Sequence, residues 1–153
     1  MKKQTKQQKC SELYDAYAAI RAGKPVKRHG AKDGSIPTHP VVPVDNLPER
    51  EVVKQCLKWL KRHHIFCNRH DAGSFQNFEG TWGTYGMKGA GDIIGLTRHG
   101  IHFELECKAG KSGRLSLGQQ KRMRDIQANN GIYLVIHGVE ELEYIFQGEL
   151  NDQ

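Results

Sequence analysis

Two short apolar runs flank a helical one between residues 101 and 137, and that order constrains the fold more than any other feature of the chain. In "IHFELECK" (101–108), Phe103, Leu105 and Cys107 alternate with Glu104, Glu106 and Lys108, the period of a strand with two unlike faces. "SLGQQKRMRDIQANNG" (116–131) opens on Ser116 and Gln119, the pair of a capping box, and closes on Asn130-Gly131, so it reads as a helix. "IYLVIH" (132–137) is apolar until its last residue and reads as a buried strand. Two strands joined through a helix form a crossover, so 101–108 and 132–137 should lie parallel in one sheet.

The neighbouring segments extend that sheet. "RHG" is a good hairpin turn between a strand at about 92–97 and 101–108, and "IFCNRHD" (65–71) supplies a further strand. "NLPEREVVKQCLKWLKRHH" puts Val52, Val53, Cys56, Leu57 and Leu60 on one helical stripe, with Asn46 as its cap and Pro48 in the first turn. "VEELEYIFQ" reads as a final helix. The order α-β-β-β-α-β-α implies an α/β fold, a mixed sheet with helices on both faces. Residues 72–91 hold six glycines and four aromatic residues, and read as a long, partly ordered loop of the kind that carries function. Near the amino end, "SELYDAYAAIRAG" reads as a weak amphipathic helix capped by Ser11 and stopped by Gly23. Lys24 to Pro48 contains all five prolines and reads as a linker or extended arm. The expected organisation is an arm over 1–45 and a compact domain over 46–153.

Charge sharpens that division. The net charge is +6, and residues 1–40 hold nine Lys/Arg against three acids, so the remainder is neutral. A basic arm on a neutral domain suits a polyanionic partner, most simply nucleic acid, and equally suits a solvated tail that aids solubility. The four cysteines (10, 56, 67, 107) have no CxxC spacing, and the longest apolar run, "IYLVI", is far too short to span a bilayer. With no hydrophobic stretch behind the amino-terminal lysines, the expectation is a reduced, soluble, cytoplasmic protein without membrane contact.

The hairpin brings acids together. A two-residue turn at His99-Gly100 would set Asp92 across from Cys107, and a three-residue turn would set it across from Glu106. Opposed side chains have Cβ atoms about 5 Å apart, so Asp92 and Glu106 repel unless a cation joins them. Lys108, on the Glu106 face, supplies one charge, and a divalent metal would supply the rest. Oxygen ligands without histidine favour Mg²⁺, with Mn²⁺ as a substitute. The same residues would also suit an exposed ion pair between Glu106 and Lys108. Cys56, His63, His64, Cys67 and His70 are zinc-type ligands, but Cys56 belongs to the buried stripe and His63–His64 end a helix. Glu49 either extends the buried stripe toward the sheet or bonds back to Asn46, and Gln119 either faces the sheet or caps Ser116.

Asp92 followed by Glu106-Cys107-Lys108 resembles the PD-(D/E)xK nuclease signature. The wider text, "GAGDIIG", "FELECKAGKSGRLSLGQQ" and "NNGIYLVIHGVEEL", is similar to the virus-type replication-repair nuclease (VRR-NUC) family over about residues 48–146. Many relatives carry a proline where Gly-Ala-Gly precedes Asp92, a difference in the turn and not in the chemistry. The resemblance implies a restriction-endonuclease-like fold with Asp92 and Glu106 binding Mg²⁺. It adds the Cys107 carbonyl as a third ligand and Glu49 as the acid from the first helix. Lys108 would act on the attacking water or the transition state, and Gln119 matches the family glutamine. Arg69 matches an arginine of the second strand, and with Lys111 and Arg114 is a candidate DNA contact. Glu104 stands where the family has an apolar or neutral residue and is left unassigned. Short, stand-alone members are typical of phages, so the implied activity is structure-specific DNA cleavage, including Holliday-junction resolution by a homodimer in the host cytoplasm. Phe78, Trp82 and Tyr85 would then serve the dimer interface or open the junction, or pack on the sheet as core. The alternatives are a restriction- or repair-type nuclease on duplex or flap DNA, and a DNA-binding module with an inactive nuclease fold. Intact Asp92, Glu106 and Lys108 argue against the last.

Overall fold

The structure, a computed structural model, describes residues 5–24 and 33–147. The chain divides into two units, Met1–Ala31 and Lys32–Gln153. In the first, helix α1 spans Lys6–Arg21, so Ser11 lies inside it and is not its cap. Past its end, Gly23 takes a positive φ of 63°, where a side chain would be strained, and its N–H returns to the Ile20 carbonyl.

The second unit is α/β: a restriction-endonuclease-like mixed sheet flanked by helices. Its four strands are β2 (Phe66–Arg69), β5 (Ile93–Leu96), β6 (His102–Cys107) and β8 (Ile132–Ile136), in the spatial order β2-β5-β6-β8. β2, β5 and β6 pair antiparallel, and β6 pairs parallel with β8, as the crossover requires. Alternation along β6 separates two layers. Phe103, Leu105 and Cys107 enter a core with α2 (Glu49–Arg62) and α4 (Val139–Ile145), through Val52, Leu60 and Leu142. The opposite face meets α3 (Leu117–Ala128), whose Ile126 and Met123 pack on Tyr133, Val135 and Leu115. Helices therefore cover both faces.

Three expectations are corrected. Asn46 does not cap α2: Pro48 occupies the cap position in extended backbone, with no side-chain cap bond. Proline suits that position because it needs no N–H partner, while Glu49 and Glu51 in the first turn favour the helix dipole. The proline-rich stretch before α2 is no free linker. Ile36–Thr38 (β1) pairs antiparallel with Gly113–Leu115 (β7), and the Val41 N–H donates to the buried Glu141. The sheet-bearing unit thus starts well before Asn46. Finally, the loop expected over 72–91 contains a ribbon, Gly73–Gln76 (β3) antiparallel to Trp82–Tyr85 (β4), separate from the main sheet. Its Phe75, Trp82 and Tyr85, and Phe78 at its turn, are exposed and do not pack as core. No described helix is long and apolar enough to cross a membrane.

Candidate active site

The site is built where β5 begins and β6 ends. Thr97 closes the turn by donating to the Ile101 carbonyl and accepting from Gly100, and Ile93 pairs with Leu105. Continuing that register one residue sets Asp92 across from Glu106, the outcome of the three-residue turn. Asp92 Oδ2 accepts the Cys107 N–H at 2.8 Å, and the Asp92 carbonyl accepts the His70 N–H at 2.8 Å. The carboxylate thus stands in for a backbone acceptor at the end of the ladder.

Glu106 is buried, and its Oε1 receives Lys108 Nζ and Gln119 Nε2, each at 2.6 Å. Its Oε2 lies 3.4 Å from the Tyr133 hydroxyl. Burial pushes the Glu106 pKa up to about 7; the Lys108 hydrogen bond opposes the rise, and the charges of Asp92 and Glu49 add to it. Burial also raises Asp92, against its bond from Cys107 and the charges of Lys108 and Arg69. Lys108 is itself buried, and its stem crosses Gly113, where an added Cβ would fall 2.7 Å from the Lys108 Cβ and Cγ. Glu106 and Lys108 therefore form a buried pair and not the exposed one that composition alone allowed.

Gln119 serves both of its expected uses at once. Its Oε1 accepts the Ser116 N–H at 2.8 Å and completes the capping box, while its Nε2 holds Glu106. An amide has an acceptor and a donor end, so cap and site do not compete.

Glu104 is wholly buried on the same face. It accepts the Gly91 N–H at 2.9 Å, lies 3.1 Å from His102 Nε2, and meets Arg122 Nη2 at 2.5 Å. Burial would raise its pKa, but Arg122, Gly91 and His102 together outweigh that and hold it low. This ion pair ties the residue preceding Asp92 to the helix that carries Gln119. The sequence left both members without a role. The available signal was that Arg122 follows Gln119 by three residues, on one helix face. Tyr133, across from Glu104 in the parallel register, is a further member that its place in the apolar run "IYLVI" conceals.

The other candidates fall around this centre. Cys107 turns its thiol into the core beside Cys56, whose hydrogen bond and the surrounding burial push the Cys107 pKa up. Glu49, the first residue of α2, is exposed, three and four residues ahead of the buried Val52 and Val53, and its charge acts on Glu106. Arg69 is exposed, pairs with Asp71 at 3.0 Å, and its charge reaches Asp92. Lys111 is exposed just past β6. Arg114 spends two donors on Ser35, at 2.7 Å and 2.6 Å, stitching β7 to the segment before β1. The zinc-type residues are dispersed in use: Cys56 is buried core, His63 stacks on Trp59, and His70 Nε2 accepts the Met87 N–H.

Among the described residues no group of three or more His, Cys, Asp or Glu side chains is gathered as a metal cage. Asp92 and Glu106, across from each other at the hairpin end, supply a smaller set of hard oxygens, to which the Cys107 carbonyl would be added by the resemblance. That set fits Mg²⁺, which takes one or two carboxylates and keeps much of its water. Comparison with known proteins gives no match to this chain: no family model, no curated protein and no solved structure.

Proposed function

We propose that this chain is a Mg²⁺-dependent, structure-specific DNA endonuclease of the VRR-NUC type, hydrolysing phosphodiester bonds at four-way junctions as a homodimer. One observation carries the reading: Asp92, Glu106 and Lys108 converge at one hairpin end, with Glu106 gripped by Lys108 and Gln119 at 2.6 Å. Carboxylates crowded together in a partly buried place are costly, and a bound cation gives the crowding a purpose. Asp92, Glu106 and the Cys107 carbonyl would hold Mg²⁺ or Mn²⁺. When bound, the ion supplies Lewis-acid polarisation of a phosphate and an acidified water.

The chain's own groups do the rest. Lys108 holds its Nζ 2.6 Å from Glu106, where it orients the attacking water and stabilises charge on the phosphate in the transition state. Gln119 fixes the Glu106 carboxylate, and the Glu104–Arg122 pair fixes the backbone ahead of Asp92. Arg69 and Lys111 take phosphates flanking the cleaved bond, which sets position without reading sequence. A two-fold homodimer provides the paired cuts that a four-way junction needs. The free thiols of Cys56, Cys67 and Cys107 suit a reducing cytoplasm.

Cleavage of a labelled four-way junction beside a matched duplex, with Mg²⁺ and after chelation, tests the reading. Wild type should cut the junction, while Asp92→Asn and Glu106→Gln should bind it uncut. Turnover retained by both purified variants would refute the assignment.

A further inference from the structure

We infer that the β3–β4 ribbon is a stacking platform for unpaired nucleobases beside the catalytic site. The inference rests on the nuclease reading for the identity of the polymer. The ribbon leaves and rejoins the body between Arg69 and Asp92. At its foot the His70 N–H donates to the Asp92 carbonyl at 2.8 Å, and His70 Nε2 accepts the Met87 N–H at 3.2 Å. Both feet are thereby joined at His70, whose N–H is bonded to Asp92, so the base of the ribbon adjoins the site.

The ribbon's register sets Gly73 across from Tyr85 and Phe75 across from Gly83, so these four residues share one face. Each ring leans over the glycine opposite. A Cβ at Gly83 would stand 2.7 Å from the Phe75 Cζ, and one at Gly73 would stand 2.7 Å from the Tyr85 hydroxyl. Missing side chains at the two glycines let the rings lie across the ribbon. Phe75 is 52% and Tyr85 53% exposed, the value for a ring with one side on backbone and the other toward solvent. The two rows are two residues apart, about 7 Å, so each ring offers a separate π surface. Phe78 at the turn is fully exposed and adds a ring at the tip, while Trp82, across from Gln76, lies on the opposite face of the ribbon.

Shape and charge both favour bases over a protein surface. Rings lying over glycines present few knobs or holes, which the packed centre of a protein interface requires, whereas a base needs only a flat partner. Residues 72–87 carry a single charge, Glu79 at the turn, while Arg69 precedes the ribbon and Lys88 follows it. Lys88 at one foot, and Arg69 at the other where a phosphate would compete with its Asp71 partner, are the cations for a strand whose bases lie between. Such a platform selects DNA that exposes base faces, as at a branch point, over duplex in which stacking already covers them.

The test measures affinity for a short single-stranded thymidine oligonucleotide and for a duplex of equal length, both in EDTA, so that no cleavage intervenes. Two double variants are compared: Phe75→Ala with Tyr85→Ala, and Phe75→Leu with Tyr85→Leu, which keeps apolar bulk but no π face. Both should bind the oligonucleotide about fivefold or more weaker, since each stacked base contributes measurably, with duplex affinity and solution mass unchanged. Binding restored by leucine would overturn the inference, because bulk and not stacking would then suffice. A drop in mass in the alanine variant with DNA affinity intact would also overturn it, and would make the face a contact between copies. Unchanged oligonucleotide affinity in both variants would do the same. Binding in EDTA is read separately from cleavage, so the platform and the nuclease reading fail independently.

Discussion

Asp92→Asn should make the metal-free protein more stable at alkaline pH, although it removes a residue of the proposed catalytic site. The reasoning starts from Glu106, whose pKa rises from 4.5 to about 7, with burial as the largest cause and Asp92 as a further one. A carboxyl whose folded pKa lies above its unfolded value binds more protons in the native state between those two pH values. Stability therefore falls as pH rises from about 4.5 to about 7, and the cost is present in full above that window. Two unit charges about 6 Å apart at an effective dielectric near 20 repel by about 3 kcal/mol, which is a ceiling. Lys108 shares the Glu106 carboxylate and burial dominates the shift, so the Asp92 contribution is about 1 kcal/mol. Asparagine keeps the shape, and its carbonyl still accepts from the Cys107 N–H. Urea denaturation in EDTA should then show the variant ahead of wild type by about 1 kcal/mol at pH 8 and level with it near pH 4. Adding Mn²⁺ at pH 8 should reverse the order, because only wild type gains binding free energy. A variant less stable than wild type at pH 8, or equally favoured at both pH values, would refute the reasoning.

Arg122→Ala should cost about 3–5 kcal/mol in denaturation, because it strands the wholly buried Glu104, whereas Lys121→Ala, at an exposed pair, should change little. Gln119→Glu should keep the Ser116 cap yet suppress cleavage by facing Glu106 with a like charge. Gln119→Ala should lose cleavage and also about 1 kcal/mol of stability through its broken hydrogen bonds; comparing melting with turnover separates the two uses. Deleting residues 1–31 removes eight Lys/Arg and two acids and should flatten the salt dependence of DNA binding, by about 0.9 in log–log slope for every phosphate left unneutralised. Extending the deletion through residue 40 should lower the melting temperature as well, since β1 and the Ser35 partner of Arg114 go with it.

The parts legible in the sequence were those whose partners lie close along the chain or repeat with a fixed period. β6 announced itself by alternation, α3 by its capping box, and the nearness of Asp92 and Glu106 by counting residues around one turn. What escaped depended on distant partners. Ile36-Pro37-Thr38 is too short and too poor in donors to read as a strand until Gly113–Leu115 pairs with it. Glu104 had no visible purpose because Arg122 reaches it from a helix across the sheet. The β3–β4 ribbon looked like a loop because its glycines stand where strand-forming side chains usually do, and only the cross-strand rings explain them.

Because β6 presents Phe103, Leu105 and Cys107 to one side and Glu104, Glu106 and Lys108 to the other, mispairing of the hairpin is self-eliminating. A slip of one position would thrust three ionic groups among Val52, Leu60 and Phe146 and leave Gln119 and Arg122 facing an apolar row in place of Glu106 and Glu104. Unpaired charges in that layer would exceed the whole stability of an ordinary domain, about 5–15 kcal/mol, so the slipped form would not accumulate. Folded but catalytically incompetent molecules should thus be scarce in any preparation. An active-site titration should return nearly the same concentration as a measurement of native protein, with loss of titratable sites tracking unfolding.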